Sequence, residues 1–311
     1  MKKKTVKNLH SRKMQKKSDR QLFILCLPTT IKLFIFSYLP LVGIYMAFVN
    51  YIPRKGIFGS KFVGFDNFKY LFKSVDFKRI FSNTILYNLL FIFTGLVFSV
   101  ILALLIFEIH SRKALKIYQT SFFLPFFISW VLVSFILQAL IDNDGIITMF
   151  IKNVFGKTIY FYKDAKYWRF ILPMVNIWKG AGVSAIIYYA TLMNCDVSLY
   201  ESAEIDGANR LQKMWYISLP YLRTMICVSV IMSGANILRS DLGLFFFATK
   251  DIATLYEATD VIDTYIWRII RKAGEFKIGT AVGFVQGLIG LVLTIFANRI
   301  VRKIDEQSAL Y

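Results

Sequence analysis

Six stretches of this chain are so long and so uniformly apolar that a lipid bilayer is the solvent they fit: Leu22–Phe48, Asn83–Phe107, Ile117–Ile141, Ile171–Met193, Ile217–Leu238 and Ile278–Ile300. Each reaches the roughly 20 residues that a helix needs to cross the hydrocarbon. A backbone in lipid must satisfy its own hydrogen bonds, so the default is helix. A β-barrel would instead show strands of roughly ten residues with alternating polarity, and these runs are apolar on every side. The expected fold class is therefore all-α, a polytopic membrane protein with six transmembrane helices. Composition agrees: 56% of the 311 residues are hydrophobic, 30 are Phe and 18% are charged. A single soluble core could not hide that much apolar surface. Lys32, Pro28 and Pro40 mark the first span as kinked or partly irregular. A basic tail followed by Leu22–Leu27 has the look of a secretory signal, but no small-residue cleavage site follows, so an uncleaved first span is expected.

The formal net charge is +19, and nine of the 38 Lys and Arg lie before Gln21. Basic residues flank the apolar runs, which points to anionic lipid rather than nucleic acid. Counts of Lys and Arg on the two sides are nearly even. The dense N-terminal cluster and the short basic link Glu108–Lys116 favour both termini inside, because the rule weights the first helix and short loops. The chain divides into a basic tail over residues 1–20, a six-helix body over 21–304 and a short tail over 305–311. Three outer segments remain, near 50–82, 142–170 and 239–277. In the third, Asp260–Arg268 carries apolar residues at helical spacing and predicts an interfacial helix with Trp267 at headgroup level.

Between the fourth and fifth spans lies a polar, acidic segment, residues 199–220. Leu199–Asp206 and Ala208–Trp215 read as two short helices, with Gly207 supplying a turn of positive φ. Glu201 and Glu204 share a face one turn apart. Ala203 and Ala208 keep the elbow slim. Leu211, Met214 and Trp215 offer an apolar side to hold the second helix against the membrane body. Pro220 falls at the start of the fifth span, where a missing amide costs little. Taken alone, this is either an amphipathic link or a small rigid lever.

The spacing resembles the cytoplasmic EAA loop in the permease subunits of binding-protein-dependent ABC importers: Glu-Ala-Ala, three residues, Gly, nine residues, Ile-x-Leu-Pro. Glu201, Ala203, Asp206, Gly207, Ala208, Met214, Ile217, Leu219 and Pro220 are the positions carried over; Ser202 replaces the usual second Ala. Tyr38-Leu39-Pro40, Leu124-Pro125-Phe126-Phe127, Asn176-Ile177-Trp178-Lys179, Val261–Tyr265 and Thr280–Gly283 look like one branch of the sugar permeases, which serves complex oligosaccharides. The resemblance covers the chain after residue 20. It implies a MetI-like fold in a bacterial cell membrane with cytoplasmic termini. It also implies a second homologous permease, two ATP-binding subunits docked beneath the pair with Glu201–Trp215 as this chain's contact, and an extracytoplasmic sugar-binding protein or lipoprotein on segments 50–82 and 239–277. The substrate path would run along spans four and five, past Asn176, Trp178, Lys179, Gly180 and Asn236. Amides bind sugar hydroxyls in both directions and an indole stacks on a sugar face. Packing between helices is the competing role for each of these residues.

No cofactor is expected in this chain; ATP and Mg would belong to the partner ATPase. Gly156-Lys157-Thr158 echoes a phosphate loop, but Ile151 stands where the upstream Gly is required. His10 and His110 are too few for a metal centre, Cys26, Cys195 and Cys227 are scattered, and no catalytic constellation is present. The chain is not expected to be an enzyme. An ion-driven secondary transporter would want buried carboxylates in its spans, which these runs essentially lack. A membrane assembly protein without a transported ligand is the remaining rival.

Overall fold

The computed structural model describes residues 21–304, so the two tails and His10 lie outside the described residues. The first helix, α1 (Gln21–Phe48), widens over Phe34–Tyr38 and tightens from Leu39 onward, the irregularity expected around its prolines. Its apolar side chains face outward: Leu22, Phe23, Leu25 and Phe36 are all more than half exposed. A hairpin follows, β1 (Val49–Ile52) paired antiparallel with β2 (Gly56–Phe62). It is the one sheet among the described residues. Asn67, on α2 (Asp66–Lys73), pins the base of the hairpin by donating to the carbonyls of Ala47 and Val49 at 2.9 and 3.0 Å.

The second span, α3 (Val75–Phe107), starts earlier than the apolar run. Ser74 caps it, accepting from the Phe77 amide at 3.2 Å. Its 33 residues extend about 50 Å, so the first turns stand clear of a bilayer core of about 30 Å.

The third apolar run is not one helix. It divides into α4 (Arg112–Phe127) and α5 (Trp130–Ile141), and the stretch that meets the length for a crossing runs from Trp130 through α6 (Ile146–Phe155). Pro125 removes an amide from the last turn of α4, and Ser129 caps α5 by accepting from Leu132 N. The fourth span, α7 (Trp168–Leu192), packs along α3 and α4. Gly182 brings α7 and α4 together backbone to backbone: a Cβ there would lie 2.0 Å from the Phe122 carbonyl oxygen.

After α8 (Val197–Ile205), the fifth span is a bent pair. Its halves, α9 (Arg210–Tyr221) and α10 (Arg223–Ala235), meet at 55° around buried Leu222. Finally α11 (Ile262–Arg271) packs on α12 (Phe276–Ile304), the sixth span. The expected interfacial helix is this α11, but Ile262 and Tyr265 are buried against Ile278 and Val282. Trp267 lies on Phe246, ring centroids 4.2 Å apart, and is half-buried. Its apolar face is consumed by protein.

Two packing centres flank the middle of the bundle. Tyr87, Trp168, Leu172 and Phe245 gather at the hairpin end, and Val100, Tyr188, Leu192 and Leu222 at the opposite end. The segments that link the spans at the hairpin end join one another: Lys277 donates to Asn50 at 2.9 Å, and Lys250 stands 3.9 Å from Asp142.

Candidate functional site

The elbow forms where the sequence places it. Asp196 caps α8 by accepting from Ser198 N at 3.0 Å. The last turn closes with Ala208 N donating to the Ala203 carbonyl at 2.9 Å, which requires Gly207 at φ 79°. A Cβ on Gly207 would meet nothing within 4 Å, so backbone conformation and not space restricts this position. Gly207→Val is therefore expected to cost about 1–2 kcal/mol through the left-handed backbone, read as a lowered unfolding temperature of the purified chain in detergent.

The second half of the elbow is capped by a reciprocal pair. Asn209 accepts from Gln212 N at 2.9 Å, and Asn209 N donates to Gln212 at 2.7 Å. Lys213 reaches back to Glu204 at 2.5 Å and joins the two helices. That ammonium holds the Glu204 carboxyl below its ordinary range. The turn over Met214–Ser218 widens before Pro220, which has no amide to give.

Ala203, Ala208, Met214, Ile217 and Leu219 are half-buried, while Glu201, Asp206, Gly207 and Pro220 are exposed. Leu211 and Trp215 do not hold the elbow to the body. They are 75% and 67% exposed, and with Ile205 at 86% and Tyr216 at 75% they present an outward apolar surface. What ties the elbow down is Tyr200. Its hydroxyl shares a 2.9 Å hydrogen bond with the buried Ser218 hydroxyl, and its ring packs on Phe107 at 5.6 Å. Sequence reasoning did not single out Tyr200 or Ser218 for this role. It also passed over the capping pair, which the pattern Asn209-x-x-Gln212 does carry.

A second feature opens between α3, α7 and α10. A cavity of about 400 Å³ is lined by Gly95, Ser99, Asn176, Gly180, Ser184 and Ser233, among others. Through Phe91, Ile92, Met232 and Ser233 it continues toward Asn88, Asn236 and Arg239. Asn176, Gly180 and Asn236 thus share one groove. Ser99 is fully buried in its wall, and its hydroxyl has no hydrogen-bond partner. No carboxylate lines either part.

Trp178 and Lys179 are not in the groove lining. Trp178 is 45% exposed elsewhere on α7. Lys179 directs its ammonium to the break between α4 and α5. There it donates to the carbonyls of Phe126 at 2.9 Å, Pro125 at 3.2 Å and Ile128, and stands 5.0 Å from the Trp130 ring. It completes the end of a helix. Among the described residues, no three His, Cys, Asp or Glu side chains are grouped to hold a metal ion.

Comparison with known proteins follows the same lines. The family described as "Binding-protein-dependent transport system inner membrane component" matches residues 95–307. Protein LplB of Bacillus subtilis (strain 168) is 34% identical over 94% of this chain and 92% of its own length. The polygalacturonan/rhamnogalacturonan transport system permease protein YteP of the same strain is 35% identical over 93% of this chain and 90% of its own length. Among solved structures, a chain of a bacterial ABC transporter involved in the import of the acidic polysaccharide alginate superposes with a TM-score of 0.83. It is 34% identical, covering 93% of this chain and 97% of that one.

Proposed function

This chain belongs to the family of binding-protein-dependent transport system inner membrane components, and from that membership we propose that its elbow receives force from separate ATP-hydrolysing subunits while its groove passes an oligosaccharide. The chain is a multi-pass inner-membrane permease of an ABC importer, not itself catalytic. In the proposed arrangement the elbow and both termini are cytoplasmic, two ATPases dock beneath the pair of permeases, and this chain's contact with them is the elbow Glu201–Trp215, with the exposed apolar side chains Ile205, Leu211 and Trp215. A second, similar permease faces the groove, and a sugar-binding protein docks on the hairpin end. The joined segments around Asn50 and Lys277 support a single docking platform there. This chain binds no cofactor of its own in this reading.

The observation that carries the proposal is the bond between Tyr200 and Ser218. It links an exposed apolar elbow to the foot of a bent span, and that span walls a polar groove. A displacement of the elbow is passed to α9 and α10 rather than lost in a flexible loop, and only a two-state body can use it. Asn176, Asn236 and the serines suit neutral hydroxyls. An ion-driven carrier would want a carboxylate, and the groove lining has none.

Ile205→Asp tests the docking surface, since the residue is 86% exposed and touches little of its own chain. ATP-dependent oligosaccharide uptake and co-purification of the ATPase should both fall by about ten-fold or more, as for a central interface residue, with membrane insertion unchanged. Retention of both at normal levels overturns the reading.

A further inference from the structure

We infer that the second span, α3, carries the width gauge of the groove: Gly95 holds open the space that a sugar ring fills in transit, and Ser99 offers that ring a hydroxyl. This rests on the importer reading above and places the size selectivity of the path on α3, beside the residues of spans four and five.

Gly95 falls in the interior of a helix that runs unbroken from Val75 to Phe107. Glycine is a poor helix former there, because it loses more backbone freedom on folding than any other residue. A helix interior ordinarily keeps a glycine for a positive φ, for a kink or for the close approach of a neighbour. None of these applies. Its φ is not positive, the helix is continuous, and a Cβ at Gly95 would meet nothing within 4 Å. Gly182 shows the contrast, since its Cβ would strike the Phe122 carbonyl oxygen. Gly180 on α7 is as free as Gly95, and of the helical glycines with that freedom these two are on the wall of the 400 Å³ cavity. What they leave is room, and the room belongs to the groove.

Ser99 follows one turn after Gly95, on the same face. Other hydroxyls of α3 return to the backbone one turn back: Thr84 donates to the Ile80 carbonyl at 2.6 Å and Thr94 to that of Leu90 at 2.7 Å. Ser99 does not. It is fully buried at the cavity wall, and its hydroxyl has no hydrogen-bond partner in the protein. A buried polar group in that state is answered by something that comes and goes. Water alone would answer Ser99 without any need for an open face at Gly95. A ring bearing hydroxyls uses both, and Phe91 and Ile92 on the same wall suit its apolar face.

The test uses cells carrying the intact transporter and fed a mixed digest of pectin, xylan and β-glucan, with consumption of each oligosaccharide followed by mass spectrometry. Gly95→Ala, Gly95→Val and Gly95→Leu should lower uptake in step with side-chain volume, reaching about ten- to two-hundred-fold for Leu, the range for misplaced methylenes in a fitted site. Branched species should be lost ahead of their unbranched counterparts. The purified complex should keep its yield and unfold at the same or a higher temperature, because the new Cβ meets open space and leaving glycine favours helix. Ser99→Ala should leave stability in place and lower uptake by about two- to ten-fold, the worth of one neutral hydrogen bond. Unchanged uptake in Gly95→Leu or in Ser99→Ala overturns the proposal. So does a loss already complete in Gly95→Ala, which marks a hinge, or a Gly95→Leu complex that sheds the second permease, which makes Gly95 a packing contact. A wild type that consumes no more of the digest than cells without this chain sinks the importer reading itself, and this inference with it.

Discussion

Asp260→Asn should destabilise the chain more than any surface change, by about 1.5–3 kcal/mol, the range for a lost charged hydrogen bond, since Arg268 keeps Asp251 and Arg79 keeps Asp76. The Asp260 side chain has no exposed surface. One carboxylate oxygen accepts from Arg268 at 2.7 Å and from Arg79 at 3.1 Å, and the other accepts from Thr264 at 3.0 Å. Its backbone carbonyl accepts from Asn83 at 3.0 Å. Arg268 in turn lies 4.0 Å over the Tyr256 ring and pairs with Asp251, which also holds Lys272. One side chain therefore ties the first turns of α3 to α11 at the hairpin end. The amide in Asn keeps the shape and one acceptor but removes the charge, so Arg268 and Arg79 face each other with less to hold them. Thermal unfolding in detergent and protease resistance of the 239–277 segment read the effect. Replacing Arg79 and Arg268 by Met in the same chain should recover part of the loss, since the penalty belongs to unpaired charge. Wild-type stability of Asp260→Asn would mean that apolar packing alone holds this end.

Lys179→Met should come next, costing about 1 kcal/mol or somewhat more for the part-buried acceptors left open. The side chain keeps its length and loses its donors. The carbonyls of Phe126 and Ile128 would then lose their side-chain donor at the end of a helix, while that of Pro125 keeps the Ile128 amide. The expected signature is lower yield and a lower unfolding temperature, with substrate preference unchanged in the fraction that folds. Lys179→Arg should be milder, because donors remain. A variant of normal stability whose uptake alone fails would return Lys179 to the substrate path.

Much of this architecture is legible because lipid leaves few choices. Spans two, four and six run within a turn or so of their apolar limits, apart from the early start of α3 at Val75. That start is set by Ser74, a local cap that hydropathy does not weigh. The elbow is legible because polar residues interrupt apolar runs and because Gly207 permits one backbone turn. The break after Phe127 is not, since Ile128 and its neighbours are as apolar as any helix interior. What stabilises the break is Lys179, fifty residues on. The hairpin Val49–Phe62 is hidden for a similar reason: Asn67 fixes it from outside. The protein contacts of α11 are not legible because one amphipathic pattern serves equally for a lipid surface and for a protein surface, and only α12 shows that Ile262 and Tyr265 meet protein.

The contact at Gly182 limits how the machine can move. With no room between the Phe122 carbonyl and the facing backbone, α4 and α7 have no slack for sliding or rolling past one another. Any cycle of opening must carry them as a single block. Pivoting then falls to the elbow's far side, at Leu222, where two helices already meet at 55°. One seam is welded so that another can flex.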